Sequence, residues 1–113
     1  MEIRQGEQDG IITIELLGRL DELATTEVEE AFTAILNDGA MRVVLDLGGV
    51  EYVSSSGLRV LLMLAKAMTN RTGLLKLCCL SPFVAEVFEI SNFTQLFEVY
   101  QTSEGAVQSF PAA

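Results

Sequence analysis

The sequence contains no histidine, and only 7 lysine and arginine residues stand against 16 aspartate and glutamate residues, a formal net charge of −9. Without histidine, the chain has no Ser-His-Asp or Cys-His machinery, no histidine-bearing zinc site and no imidazole pH switch. Its acidity argues against nucleic acid and against anionic membrane surfaces, because both attract basic patches. Composition therefore disfavours most enzyme classes, and we expect no catalytic residue, no cofactor and no bound metal.

Long hydrophobic runs and paired cysteines are also scarce. The longest apolar run, residues 60–65, is far shorter than the ~20 residues that a membrane span needs. The N-terminus has no apolar segment of the secretory type. Cys78 and Cys79 are adjacent, and neighbouring residues of a strand point to opposite faces, which predicts two buried free thiols rather than a bridge. We therefore expect a cytoplasmic protein without a membrane span.

Half of the residues are apolar and a fifth are charged, which is typical of one globular domain over residues 1–113. Strand patterns occupy residues 2–8, 11–17, 42–47, 74–80 and 97–100, and helix patterns begin near residues 26, 56, 82 and 103. Because helices that connect strands favour parallel neighbours, this alternation predicts an α/β fold. We expect a small mixed sheet, with its first strand antiparallel, packed with about four helices.

Turn and cap residues mark several boundaries. Asp9-Gly10 is a dipeptide favoured in tight hairpins, residues 26–29 form a capping-box pattern for the first helix, and Gly39 stands where a helix-ending glycine belongs. Ser81-Pro82 opens the third helix as a hydroxyl cap followed by proline. The apolar side of this helix is predicted to comprise Phe83, Val84, Val87 and Phe88.

Three consecutive serines, Ser54, Ser55 and Ser56, precede Gly57 at a strand-to-helix junction. In the simpler interpretation, one serine caps the helix and the others belong to a turn. In the functional interpretation, the free N–H groups and positive dipole end of the helix favour a phosphate, either bound or attached to a serine. The phosphate-loop pattern of nucleotide hydrolases is absent. The residues alone leave both interpretations open.

Several short motifs together resemble the STAS domain of bacterial anti-sigma factor antagonists, and the resemblance covers essentially the whole chain. In chain order they are Gly18-Arg19-Leu20-Asp21, Asp46-Leu47-Gly48-Gly49-Val50, Ser54-Ser55-Ser56-Gly57-Leu58-Arg59-Val60-Leu61, Leu80-Ser81-Pro82 and Leu96-Phe97-Glu98-Val99-Tyr100.

This resemblance implies a phosphorylation site. The usual pattern at this helix start is Asp-Ser-Ser-Gly, in which the partner phosphorylates the serine after the aspartate. Aligned on Gly57, that serine is Ser55, and Ser54 replaces the aspartate. Ser56 is the second candidate, although it looks more like the helix cap. The chain needs no catalytic base, because in this family the partner is the kinase.

The second helix offers a candidate docking surface. Arg59, Met63, Lys66 and Asn70 form one stripe at helical spacing. The inward stripe is predicted to comprise Leu58, Leu61, Leu62, Ala65 and Met68. The flank formed by Val60, Leu64 and Ala67 is either buried against a neighbouring helix or available to a partner. The expected partner-binding residues are Asp21, Ser54, Ser56, Gly57, Arg59, Val60 and Met63.

The function implied by the resemblance is a phosphorylation-controlled binding switch in the regulation of transcription. The unphosphorylated form, monomeric when free, would bind an anti-sigma factor that is a serine protein kinase and thereby release a sigma factor. The alternative is a STAS subunit of another assembly, such as a lipid-transport ATPase, that binds without phosphorylation. Ser54 in place of aspartate keeps that alternative open. An enzyme or nucleotide-binding module is disfavoured by the missing histidine and phosphate loop.

Overall fold

Strands and helices alternate along the chain in a computed structural model that describes residues 1–111; the last two residues of the predicted domain lie outside this part. The elements are β1 (Glu2–Gln8), β2 (Ile11–Leu20), α1 (Thr25–Asn37), β3 (Arg42–Val53), α2 (Ser55–Asn70), β4 (Leu74–Cys78), α3 (Pro82–Ile90), a 3-10 turn (Phe93–Leu96), β5 (Glu98–Tyr100) and α4 (Ser103–Gln108). The sheet order is β1-β2-β3-β4-β5, in which β1 is antiparallel to β2 and all other neighbours are parallel. The predicted mixed α/β fold is therefore confirmed.

Two of the predicted turn signals are confirmed by the backbone. Asp9 and Gly10 both have positive φ, 54° and 79°, as a two-residue turn of type I′ requires, and they join paired residues Gln8 and Ile11. Gly39 has φ 86° just beyond the end of α1, the left-handed conformation in which glycine commonly ends a helix. The residues of these two turns thus determine where the chain reverses between β1 and β2 and where α1 ends.

The central strand β3 is covered on both faces, as its nearly continuous apolar sequence predicts. Val43 and Leu45 belong to the main core, which contains buried residues of α1, α2 and α3. Val44, between them, belongs to a second cluster with Ala106 of α4 and Phe110. Three helices therefore lie on one face of the sheet and α4 lies on the other.

The middle strands are longer than predicted. β2 continues to Leu20 and β3 continues to Val53, with irregular register between them beyond Glu15. The predicted strand ended at residue 47, yet Gly49, two residues further on, still pairs with Leu17. A Cβ on Gly49 would lie 2.9 Å from Cγ of Leu17, so the glycine admits a close contact between strands instead of ending one.

The later strands are shorter than predicted. β4 ends at Cys78, because Cys79 has a left-handed φ of 68° and donates its N–H to the carbonyl of Tyr100 at 3.0 Å. The predicted alternation of the two thiols across a strand is therefore wrong. β5 begins at Glu98 rather than at residue 97, after a 3-10 turn that no sequence signal indicated.

The prediction of a capping box at the start of α1 is also wrong. The helix begins at Thr25, and its N-cap, Ala24, makes no side-chain capping bond. Ala24 donates its N–H to the carbonyl of Asp21 at 3.1 Å, and Thr25 donates its hydroxyl to the carbonyl of Glu22 at 3.0 Å. Because this turn leads directly into the helix, Thr26 is already its second residue and is exposed.

The inward face of α3 is narrower than predicted. Val84 and Phe88 are buried, whereas Phe83 is 47% exposed and stacks on Tyr52 with ring centroids 6.0 Å apart. Each helical residue is rotated by about 100° from the one before it. Phe83 therefore lies at the edge of the buried face, against the end of β3.

Truncation of the two phenylalanines of α3 tests this assignment. Phe88→Ala is expected to lower the free energy of unfolding by about 3–5 kcal/mol, because it leaves a cavity in the main core. Phe83→Ala, the matched control in the same helix, removes one exposed ring stack and is expected to lower it by about 0.5–1.5 kcal/mol. Denaturant unfolding measures both, and equal losses would contradict the orientation of α3.

Candidate functional site

The serine segment begins where β3 ends. Ser54 follows Val53, has an extended backbone, and donates its N–H to the carbonyl of Leu20 at 3.0 Å. Its hydroxyl accepts the N–H of Gly57 at 3.2 Å, which makes Ser54 the N-cap of α2. The expectation that Ser56 is the cap is wrong, because the cap lies two residues earlier, at Ser54.

Gly57 fixes the position of the first turn of α2. A Cβ on this residue would lie 2.4 Å from the carbonyl oxygen of Leu20 and 3.0 Å from Cγ2 of Val53. No side chain fits there, so the helix backbone packs directly on the ends of β2 and β3. Gly57, which the sequence placed among the partner-binding residues, thus has a structural reason to be glycine.

The three serines differ in exposure. Ser55, the first residue of α2, is exposed, whereas Ser54 and Ser56 are half-buried. The N–H groups of the first helical turn have no carbonyl partner within the helix, and no acidic residue lies in this turn. The local field therefore favours a negative group on the Ser55 hydroxyl.

The segment that contains Asp21 lies beside the serines, because the carbonyl of the preceding residue, Leu20, accepts the N–H of Ser54. Asp21 accepts the N–H of Leu23 at 3.1 Å and lies 3.7 Å from the guanidinium of Arg19. Leu23 is 87% exposed in this loop. No sequence signal marks Leu23, because no periodicity distinguishes a single apolar loop residue.

A groove of about 360 Å³ adjoins the serine segment between α1 and α2. It is lined by Thr25, Glu29, Ser56, Arg59, Val60 and Met63. The structure thus brings Arg59 and Met63 of the predicted stripe together with Ser56, whereas Lys66 and Asn70 of that stripe do not line the groove. The contributions of Thr25 and Glu29 were missed, since they depend on how α1 packs against α2.

The inward stripe of α2 is rotated relative to the prediction. Leu58 and Leu62 are only half-buried, and the fully buried side chains of α2 are Val60, Leu61, Leu64 and Met68. Of the flank that was left open, Val60 and Leu64 are therefore buried in the core and Ala67 is half-buried. Val60, an expected partner-binding residue, is 5% exposed and forms the floor of the groove, so it offers a partner little surface. Met63 is half-buried and packs against the core.

Comparison with known proteins agrees with this architecture. The sequence model of the STAS domain matches residues 2–106. The chain belongs to the STAS domain family. Within the described residues, no helix is both long enough and apolar enough to span a membrane.

Named relatives cover nearly the whole length of this STAS domain. BtrV of Bordetella bronchiseptica, provisionally named an anti-sigma factor antagonist, is 40% identical over 113 residues, covering 100% of this chain and 97% of BtrV. The anti-sigma-B factor antagonist of Staphylococcus aureus is 28% identical over 97 residues, 86% of this chain and 90% of that protein. A solved anti-sigma factor antagonist (STAS) domain protein of Planctomyces limnophilus superposes with a TM-score of 0.85 at 26% identity, covering 95% of this chain and 96% of that one.

Substitution of Gly57 tests the contact that fixes α2. Gly57→Ala is expected to lower the free energy of unfolding by about 1–3 kcal/mol, because the new Cβ meets backbone that must shift. Gly105 is the matched control: it is also the third residue of a helix, but its added Cβ would face only the Thr102 hydroxyl, at 3.0 Å. Gly105→Ala is therefore expected to change stability by less than about 1 kcal/mol. Thermal or denaturant unfolding distinguishes the two, and a neutral Gly57→Ala would refute the close approach.

Proposed function

We propose that this chain is an anti-sigma factor antagonist whose binding to its partner is switched by phosphorylation of Ser55. The observation that carries the proposal is the presentation of Ser55: an exposed hydroxyl on the first residue of a helix that Ser54 and Gly57 hold against the sheet. The family and the names of the relatives support the same role.

The serine that replaces the usual aspartate is compatible with this switch. Residue 54 is the N-cap, and serine and aspartate are about equally good caps. The replacement therefore keeps the helix start and removes one negative charge beside Ser55. A phosphate there meets less repulsion from its own chain than it would next to aspartate.

The partner would dock around the serine segment. The surface comprises the loop of Asp21, the exposed Ser55, and the groove with Ser56, Arg59 and Met63. In this proposal the partner is a serine protein kinase that supplies the catalytic groups, the chain itself only binds, and both act in the cytoplasm with the sigma factor.

Phosphorylation would oppose this docking through charge. A phosphoserine adds about −1.5 to −2 charges to a chain that already carries −9. At the helix N-terminus of the free protein this charge is tolerated, but under a docked partner it must lose its water without a matched cation. The fold and the complex therefore respond differently to one modification: the fold tolerates the charge, and the complex is weakened by it.

Substitutions of Ser55 test the switch. Ser55→Asp is expected to fold with a melting temperature near that of the wild type and to bind the anti-sigma factor at least about tenfold more weakly, an effect of 1.4 kcal/mol. Ser55→Ala is expected to fold, bind and resist phosphorylation. Calorimetric titration measures affinity, and incubation with the partner and ATP followed by mass spectrometry locates the phosphate.

Ser54→Ala and Ser56→Ala are the controls. Loss of the Ser54 cap is expected to destabilise the protein by about 0.5–2 kcal/mol while leaving the phosphoacceptor in place. Ser56→Ala is expected to retain both stability and phosphorylation. Phosphate on Ser56, or on no serine of this segment, would overturn the assignment, and the latter result would favour the constitutive-subunit alternative.

A charge reversal in the groove tests the docking surface. Arg59→Glu is expected to weaken partner binding and to change stability by no more than about 0.5 kcal/mol, because Arg59 is exposed. Lys66→Glu is the matched control: it makes the same charge change on the same stripe, roughly 10 Å further along α2. Equal effects of the two variants on affinity would indicate a general charge effect rather than docking in the groove.

A further inference from the structure

A second group of reactive side chains lies away from the docking surface, on the α4 side of the sheet. The donor atoms of Asp46, Cys78 and Cys79 all lie within 4.8 Å of one another. Asp46 and Cys78 are directly paired residues of β3 and β4. Cys78 belongs to the cluster beneath α4, and Cys79 packs against the same cluster. The two thiols and the carboxylate therefore converge on one point.

The convergence depends on an unusual backbone conformation at Cys79. In a regular strand its side chain would point away from that of Cys78. Its φ of 68°, uncommon for a residue other than glycine, turns the chain so that both thiols lie on the same side. The bond from its N–H to the carbonyl of Tyr100, 3.0 Å, holds this conformation. Strain of this kind is concentrated at functional sites.

The carboxylate of Asp46 is oriented and lacks a cation. Its Oδ1 accepts the N–H of Gly48 at 2.8 Å, the kind of outer bond that orients carboxylates on metal ions. Its neighbour on β2 is another acid, Glu15, and Arg4, which lines the same cavity as Asp46, is paired with Glu15 and Glu2. Within residues 1–111, Asp46 makes no salt bridge.

Although composition led us to expect no bound metal, we propose that Asp46, Cys78 and Cys79 form a binding site for a thiophilic divalent cation such as Zn²⁺. Two sulfur donors and one carboxylate select Zn²⁺ or Cd²⁺ over Mg²⁺ and Ca²⁺, which prefer oxygen alone. With Zn–S bonds of about 2.3 Å, tetrahedral donors lie about 3.8 Å apart, so the donors need to approach by only about 1 Å. The carboxylate also lines a cavity of about 290 Å³ with Ser103, from which water or the Ser103 hydroxyl would supply the fourth ligand.

Both thiols carry their protons before the ion binds. Burial raises the pKa of the Cys78 thiol and that of the Cys79 thiol, and the facing carboxylate of Asp46 raises both further. Binding therefore releases two thiol protons to solvent, and the positive charge of the ion then balances the two thiolates. The site is independent of Ser55 and of the proposed partner, so it stands or fails separately from the switch.

Titration of the reduced full chain with Cd²⁺, and then with Zn²⁺ in competition with a chromophoric chelator, tests the site. We expect saturation at one equivalent of Cd²⁺, with an ultraviolet thiolate-to-metal charge-transfer band, and a rise in melting temperature with one equivalent of Zn²⁺. Cys79→Ser, a change at a partly exposed side chain, is expected to abolish the band. Asp46→Asn keeps an acceptor for Gly48 and is expected to weaken binding at least about tenfold.

Glu15→Gln is the matched control, because Glu15 is the acidic neighbour of Asp46 but is not one of the converging donors. It is expected to change affinity by no more than about twofold, since its effect on the ion is only a screened attraction. The absence of a band at one equivalent would overturn the proposal. So would an affinity unchanged by Asp46→Asn, which would indicate unspecific binding to the cysteines alone.

Discussion

The carbonyl of Leu20 is the contact on which the serine segment depends. It accepts the N–H of Ser54, and it leaves no room for a side chain on Gly57. Because Leu20 ends β2 and Ser54 follows the end of β3, two central parallel strands and the first turn of α2 meet at one atom. Open α/β sheets commonly place their binding sites at the carboxyl ends of strands. Here the position of Ser55 is therefore set by the sheet rather than by a flexible loop.

Three consecutive serines acquire different roles because a helix begins among them. Ser54, still extended, directs its hydroxyl back to Gly57 and completes the cap. Ser55, one residue on, is exposed, and Ser56 is turned by about another 100° towards the groove between α1 and α2. The residue that stabilises the helix and the residue available for modification are thus separate. A charge on Ser55 can alter binding without removing the cap.

Sequence patterns were sufficient for the fold class, the strand order of the hairpin and the end of α1, because periodicity and turn chemistry are local. They failed where a shift of one or two residues mattered. An earlier start of α2 moves the cap from Ser56 to Ser54, and the same sensitivity misplaced Phe83. The convergence of the thiols was also out of reach, because the conformation of Cys79 depends on a bond to Tyr100, which is distant in sequence. The groove could not be predicted either, because it depends on how α1 packs against α2. Nothing in the sequence marks Thr25 or Glu29 as residues that line it.

β3 carries both regions, and its pairing keeps them independent. Asp46 and Ser54 are eight residues apart, which is roughly 26 Å at the rise of an extended strand. That distance exceeds the screening length of about 8–10 Å in physiological salt, so a phosphate on Ser55 has little electrostatic effect on a cation at Asp46. A mechanical coupling between the cation site and the serine segment would need a strand or helix that can adopt two arrangements. β3 is paired with β2 along most of its length and with β4 from Arg42 to Asp46, so both regions belong to one continuous hydrogen-bonded sheet. A cation at Asp46 would therefore strengthen the sheet that positions Ser55 without changing the surface that the partner meets.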